Sequence, residues 1–582
     1  MTDARYRTLI LVEIEQLTGL AVGAGSGSLE SDTVFRDGLG NLTIPGSSIA
    51  GALVEAVART GNSKDSRPLE AQSTIDPFVA GRLISGKKRG RLTKGGSDDS
   101  SIVQSLWTIE HAHISSDYRN KVLVQLRQGV GIRHTTGAAA TENKALFDGE
   151  FVPAGTRWNF VIDIDTNRGG AEIEQSALLA LRQLHQGEIC LGRNAARGMG
   201  RVRITDRARL VRIPLSAKGV RLWPNNEIDW RHDWNRVNRT LALWKGSGIE
   251  PRELIAEIQE AASVSVESSK QNAINNPVDF TEKTFCYLHL DWELQVGEGP
   301  SPSGTAESYG WDSLHVGGHP FVSLTGKPLD YSDSHSGIGT DNEQLVAQDN
   351  DHPFVSMLPV GDRSIDKTDW EPYLPGSGLR GPLRHAASRL WRSLGVTIPD
   401  PMEGKQRGES PVSNSESIAT KTEQTETVDQ ITQLFGNLSQ SGRLSLGDAR
   451  LVVKNKKAKD SYRVIKLDHV AIDEFTGGVF GSGKFDRDVL IDGSFQFQLT
   501  LEASSVHELI HDWRTLLPAF QLALLGYVPI GGSKFRGSGW VPWQCKKIEF
   551  TNALGVSNSV ADPKLEQVEE LLMAKMMNGG VA

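Results

Sequence analysis

Cysteine is scarce. Cys190, Cys286 and Cys545 are the only three in 582 residues, they lie far apart, and none stands in Cys-x-x-Cys spacing. That excludes a full disulfide framework and a cysteine zinc finger. Long apolar runs are also missing: no stretch reaches the roughly 18 residues of a membrane span. The richest, 516–530, is interrupted by Pro518, Gln521 and Gly526. The opening MTDARYRTLILVEIEQL has no small-residue cleavage site and carries Glu13 and Glu15, which argues against a secretory signal and makes the cytoplasm the expected compartment. Nor is there a basic excess. Lys+Arg 63 against Asp+Glu 71 gives a net charge of −8, whereas a chain that grips nucleic acid over its whole surface is usually basic. Anion binding therefore has to come from local patches, which exist at 82–94 (RLISGKKRGRLTK), 191–203 (LGRNAARGMGRVR) and 531–539 (GGSKFRGSG). A hydrophobic share of 38% with 23% charged residues describes a globular protein. At about 100–250 residues per domain, the length suggests two or three domains.

What the sequence does have is an internal repeat. IPGSSIAGALVEAVAR (44–59) resembles LPGSGLRGPLRHAASR (374–389). The stretch 131–164, opening GIRHTTGAAA, resembles 471–502, opening AIDEFTGGVF. CLGRNAARGMGRVRI (190–204) resembles PIGGSKFRGSGWVPW (529–543). Three matches in the same order point to a duplicated domain: a first copy over 1–245, a linker over 246–282 and a second copy over 283–582. The second copy carries a large insertion at about 297–371, rich in Gly, Ser, Asp and Pro. It also carries a Ser/Thr/Glu/Gln-rich stretch at about 404–427 that buries too little apolar surface to offset chain entropy and reads as a mobile loop.

Each copy has the same order of elements. An alternating strand (8–14; 286–294) leads, then Pro-Gly-Ser opens a helix that Ser47 or Ser377 can cap. A strand pair follows, then a late amphipathic helix (173–184; 506–524), a Gly-rich loop and a closing strand. A helix-like stretch at 251–265 joins the copies. Strand–helix–strand–strand–helix–strand predicts an α+β protein of two tandem ferredoxin-like (RRM-like) domains, each with a thumb hairpin (132–145; 472–484). The loops at 192–200 and 531–539 lack the Gly-Lys-Ser/Thr of a nucleotide-hydrolysing loop. Their glycines let amides converge, and Arg193, Arg197, Lys534 and Arg536 add charge, a combination suited to a phosphate backbone read without regard to base. The first turns at Ser47-Ser48 and Ser377-Gly378-Leu379 offer an anion site at a helix start.

Taken together, the Pro-Gly-Ser helix starts, the Arg-His-Thr-Thr-Gly turn and the Gly-x-x-x-x-Arg-Gly-x-Gly loops resemble the RAMP superfamily, and within it the repeated backbone subunit of type III CRISPR effector complexes. The resemblance implies a protein that lies along a CRISPR guide RNA, presents it to a target RNA, contacts other subunits of the complex, and cuts the paired target with help from a divalent cation, Mg2+ first. It implies guide contact by a basic residue after Pro-Gly-Ser. Arg380 fits that pattern and Ala50 does not. It implies that the thumbs wedge into the duplex, which assigns His134 and Thr136 to RNA contact. It also implies a cutting aspartate in the loop after the first strand. Asp32 stands there, thirteen residues before Pro45, followed by Thr33-Val34 where many members have Asp-x-Pro; Asp37 reads as a turn residue. In the second copy, Asp351-His352-Pro353 matches the local chemistry, and Asp362 matches the spacing to Pro375. Asp351 is preferred and Asp362 kept as its rival. Two other readings stay open: a scaffold that binds RNA without cutting, and a guide-processing endoribonuclease.

Overall fold

The computed structural model describes residues 6–23, 31–60, 105–115, 124–131, 146–214, 234–275, 285–297, 322–323, 357–359, 370–398, 429–437, 441–453, 461–532, 538–552 and 557–577. The stretch 404–427, most of 297–371 and the basic patch 82–94 lie outside these residues.

Both copies are built on a long leading strand, Tyr6–Gln16 in the first and Cys286–Val296 in the second. In copy one it lies between Arg157–Ile164 and Arg209–Pro214, antiparallel to both. In copy two it lies between Val479–Ala503 and Trp543–Asn552, again antiparallel. The alternation of side chains sends Ile10, Val12 and Ile14, and likewise Leu288, Leu290, Trp292 and Leu294, toward the helices. There a front helix (Gly46–Thr60; Gly376–Ser393) packs on a rear helix (Thr166–Gln186; Val506–Leu524). The chain is thus α+β, with two ferredoxin-like domains whose helices cover one face of an antiparallel sheet.

The rear helix of copy one starts seven residues before the apolar periodicity does, because its first turns, Asn167-Arg168-Gly169-Gly170, carry no apolar face. The joining helix runs over Leu254–Asn275 and belongs to the copy-one core: Leu254, Ile258 and Ala261 pack into it. Arg212 on the sheet ties Glu257 at 2.7 Å to Glu174 of the rear helix. A second helix, Trp234–Gly246, lies on the other face of the copy-one sheet, where Val237, Leu241 and Trp244 cover Leu9, Leu11, Val161, Val211 and Ile213. The insertion of copy two reaches back to copy one, since Val322–Ser323 pairs antiparallel with Val124 and Gln125.

The copies meet through unlike surfaces. Copy one offers the ends of its helices and its Gly-rich loop; copy two offers the sheet face turned away from its own helices. Gly198 shows how close the approach is: its φ is +79°, and a Cβ there would sit 1.8 Å from the Leu446 carbonyl oxygen. Arg59 reaches Glu502 at 2.8 Å and the Tyr287 hydroxyl at 3.2 Å. Arg201 donates to Gln498 and Thr500. Arg182 and Glu188 form an ion pair at 3.0 Å that is almost wholly buried, and Glu188 also accepts from Thr551 at 2.9 Å.

His289 lies in this contact between the Thr500 and Thr551 hydroxyls, at 2.9 and 3.3 Å. Burial first, and the nearby Arg201 second, push its imidazole from 6.5 down to about 3. A folded-state pKa below the unfolded one means that the unfolded chain takes up the proton first. His289 therefore contributes stability that is full above about 6.5 and drains as pH falls toward 3, by at most ~1.4 kcal/mol per pH unit. Burial raises Glu188 and Glu502, whose effect has the opposite sign. Chemical denaturation at pH 7 and pH 5 isolates the histidine by difference: His289→Gln should lose less stability on acidification than the parent chain. Parallel losses would contradict the assignment.

Candidate RNA interface

Pro-Gly-Ser starts the front helix in both copies, but serine does not cap it. The helices begin at Gly46 and Gly376, so Ser47 and Ser377 lie within the first turn, and the N-cap of the second helix is Pro375 with no side-chain cap bond. The leading amide is taken instead from far away in sequence. Gly46 N–H donates to His111 Nδ1 at 2.9 Å, and Gly376 N–H to Asp448 Oδ1 at 2.7 Å. Glycine is required at both points because a Cβ would fall 2.4 Å from the Ile109 oxygen in one copy and the Leu446 oxygen in the other. The Ser48 and Gly378 N–H groups donate to the Pro45 and Pro375 oxygens at 2.9 and 2.8 Å, which leaves the first-turn amides of Ser47, exposed, and Ser377, half-buried, to face an anion.

The glycines of the first loop likewise serve protein packing, as Gly198 does against copy two, so any phosphate contact falls to the arginines. Arg193 is bridged to Ala21, its N–H donating to the Ala21 oxygen at 2.7 Å. Its guanidinium lies over Gly23, where a Cβ would be 3.0 Å from Cζ. Gly23 in turn is bridged to Val34, two residues after Asp32. The Asp32 backbone forms the short strand Ser31–Asp32, parallel to Leu146–Phe151 with Asp32 opposite Gly149. Leu146–Phe151 and its partner Val124–Val130 form the base of the first thumb. The Gly-rich loop, the Asp32 strand and the thumb base are therefore contiguous. Asp37 is the turn residue expected: hydrogen bonds from Asn41 and Leu39 hold its carboxyl low against the upward push of burial.

Arg197 ends a short 3-10 turn, Ala195–Arg197, that packs on the front helix of copy two; its carbonyl oxygen would be 2.7 Å from a Cβ on Gly376. Arg380 and Arg384 follow on that helix. Both guanidiniums lie over the Phe435 ring, at 5.5 and 6.0 Å. Arg380 donates to the Phe435 carbonyl, and Arg384 to that of Gly436 at 2.9 Å. Burial, then the charges of Arg384 and Arg197, push Arg380 down to about 9, so it stays charged at neutral pH. Three like charges held together across the boundary between the copies gain from a polyanion laid over them. Ser377 and Arg197 are thus brought to one place, joined by Arg380, while Arg193 and Asp32 gather at another within copy one.

His134, Thr136, Lys534, Arg536, Asp351 and Asp362 lie outside the described residues. Among the described residues no three His, Cys, Asp or Glu side chains form a group that could hold a metal ion. They do not by themselves make a Mg2+ site.

The thumb of copy two holds a feature that sequence reading passed over. Tyr462–Ile472 pairs antiparallel with Val479–Ala503, and the turn between them presents Phe475, 88% exposed, with Ile472 and Val479 exposed beside it. Asp473 holds the tip, accepting from Thr476 N–H at 2.8 Å and Phe475 N–H at 3.1 Å. The signal was the Asp-x-Phe-Thr-Gly turn between two apolar stretches, which fixes an aromatic at the apex.

A model of the RAMP superfamily matches residues 13–203 and 314–541, one stretch in each copy and together well over half the chain. The chain belongs to the RAMP superfamily. Membership gives it a CRISPR-associated, RNA-binding role. The two matched stretches of the RAMP protein contain both Pro-Gly-Ser helix starts and both Gly-rich loops. No curated protein matches the chain. No helix among its described residues is long and apolar enough to cross a membrane.

Proposed function

We propose that the chain is a guide-RNA-binding backbone subunit of a type III CRISPR interference complex, acting in the cytoplasm, and that it cuts target RNA paired to the guide. The observation that carries this reading is the contiguity of the Asp32 strand with the Arg193 loop on one side and the thumb base on the other. The guide backbone runs over Arg193 and Arg197 and the first turn at Ser47-Ser48, then over Ser377 and Arg380, with Lys534 and Arg536 repeating the loop contact in copy two. His134 and Thr136 touch RNA from the first thumb. The thumbs part the guide–target duplex, which turns one target ribose so that its 2′-oxygen lines up with the neighbouring phosphorus. The 2′-hydroxyl loses its proton and its oxygen bonds to phosphorus. The bond to the 5′-oxygen breaks and that oxygen takes up a proton, leaving a cyclic phosphate and a 5′-hydroxyl. Asp32 in copy one and Asp351 in copy two orient the hydroxyl or accept its proton. Dependence on a divalent cation, Mg2+ first, is part of the proposal: EDTA should stop cutting and leave the guide bound.

Phe475 offers a test of the thumb. A base stacked on an exposed aromatic contributes about 1–3 kcal/mol, so Phe475→Ala should slow cutting at the copy-two position by roughly 5–150-fold. Phe475→Trp should preserve it, and the copy-one position should be untouched. Equal cutting at the copy-two position in parent and alanine variant would remove the wedge from the account.

A further inference from the structure

Asp32 is held from both sides by one strand of the thumb base. Ser31–Asp32 pairs parallel with Leu146–Phe151, Ser31 opposite Asp148 and Asp32 opposite Gly149. Beyond Asp32 the chain leaves this ladder for Gly23, to which Val34 is bridged, and Val34 enters the copy-one core at 4% exposure. A buried amide at such a departure needs an acceptor. Here a side chain supplies it: Val34 N–H donates to Glu150 Oε2 at 3.1 Å. Glu150 follows Gly149 directly, so the backbone pairing at Asp32 and the side-chain bond after it come from adjacent residues.

Two residues of parallel pairing are less than an ordinary strand supplies, so the bond to Glu150 carries much of what holds the chain leaving Asp32. Glu150 also meets Arg36, two residues past Val34: burial lowers the Arg36 guanidinium from its ordinary value, and the Glu150 charge opposes that shift. The carboxylate is thus engaged with the chain that follows Asp32, as an anchor is, while its backbone belongs to the thumb base, opposite Leu126. The second copy repeats the pattern in sequence. Phe485-Asp486-Arg487-Asp488 aligns with Phe147-Asp148-Gly149-Glu150, each ending in an acid five residues before a turn glycine, Gly493 or Gly155.

We propose that Glu150 is a positioning residue for cutting at the copy-one site: it ties the chain leaving Asp32 to the thumb base, so that Asp32 and the thumb keep one spacing while the duplex is parted. Glu150 does not touch the substrate; it acts through Asp32. This rests on the reading that Asp32 takes part in cutting.

The test uses the reconstituted complex with guide and paired target, and follows the copy-one and copy-two products separately. Glu150→Ala removes the acceptor and should lower kcat at the copy-one position by roughly 10–100-fold, the scale of a misplacement of about 1 Å. KM for the target, guide content and the copy-two product should stay at the parent's values. Glu150→Gln keeps an oxygen at the same reach and should restore most of the copy-one rate. Hydrogen exchange of the peptide carrying Val34 is read beside activity: faster in the alanine variant, parent-like in the glutamine variant. Undiminished copy-one cutting by the alanine variant would overturn the proposal. So would equal losses in the two variants, which would make the Glu150 charge itself a participant, and so would loss of guide or of both products together, which would mark a fault of the fold. A parent complex that binds guide but cuts no target refutes the proposed function and this inference with it; a parent that cuts, beside an alanine variant that cuts equally, refutes this inference alone.

Discussion

Replacing Asp32 and Asp351 together with alanine is expected to stop target cutting at both copies of the reconstituted complex, each by about 10²–10⁴-fold, the range for losing one positioned acid–base group. The guide should remain bound with unchanged affinity, because phosphate contact falls on the Arg193 and Arg197 loop and the helix starts rather than on either carboxylate. The single variants separate the copies: Asp32→Ala should remove one product end and leave the other. Asp362→Ala should leave both, and loss of the copy-two product in that variant would move the assignment from Asp351 to Asp362. Undiminished cutting with Asp32, Asp351 and Asp362 all replaced by alanine would sink the enzyme reading and leave an RNA-binding scaffold. Cutting of a repeat hairpin by the purified chain alone would favour the guide-processing reading instead.

The second large effect concerns the junction. Arg182 and Glu188 are nearly wholly buried, and burial raises the Glu188 carboxyl despite the neighbouring guanidinium. Glu188→Ala strands the charge of Arg182 and leaves the Thr551 hydroxyl without its acceptor. Breaking a buried pair from one side costs about 3–5 kcal/mol, whereas an apolar replacement of both partners can be close to neutral. The single variant should therefore lose most of the stability that holds the copies together, and Arg182→Met with Glu188→Leu should recover much of it. Denaturant titration monitored by tryptophan fluorescence reads both, since Trp158 and Trp292 report separate cores. Equal losses in the single and double variants would mean that lost packing, rather than an uncompensated charge, sets the cost.

The duplication was legible in the sequence because its anchors are dictated by backbone contacts that admit few residues. Gly46 and Gly376 sit against carbonyl oxygens with no room for a side chain, and both remain glycine after the copies diverged. The apolar alternation of the leading strands was equally plain. What escaped was everything fixed by distant partners. Serine was read as the helix cap, but the acceptors are His111 and Asp448, 65 and 72 residues away. The helix Leu254–Asn275 looked like a connection because what places it in copy one, the packing of Leu254, Ile258 and Ala261 into that core and the Glu257–Arg212 ion pair, depends on partners far away in sequence. The Gly-rich loop was read as a phosphate cradle; its Gly198 is needed first for the approach of copy two. Arg380 was singled out as a guide contact, and the Phe435 carbonyl that shares its donors could not be foreseen across 55 residues. Phe475 was visible as a letter, and only the hairpin made it an apex.

The most direct test of the central claim, an RNA-cradling unit written twice, is sequencing of the nucleic acid that co-purifies with the chain from its host. A population of short RNAs sharing one common end is the predicted result. An RNA-free preparation, or fragments of unrelated sequence with no shared terminus, would contradict it.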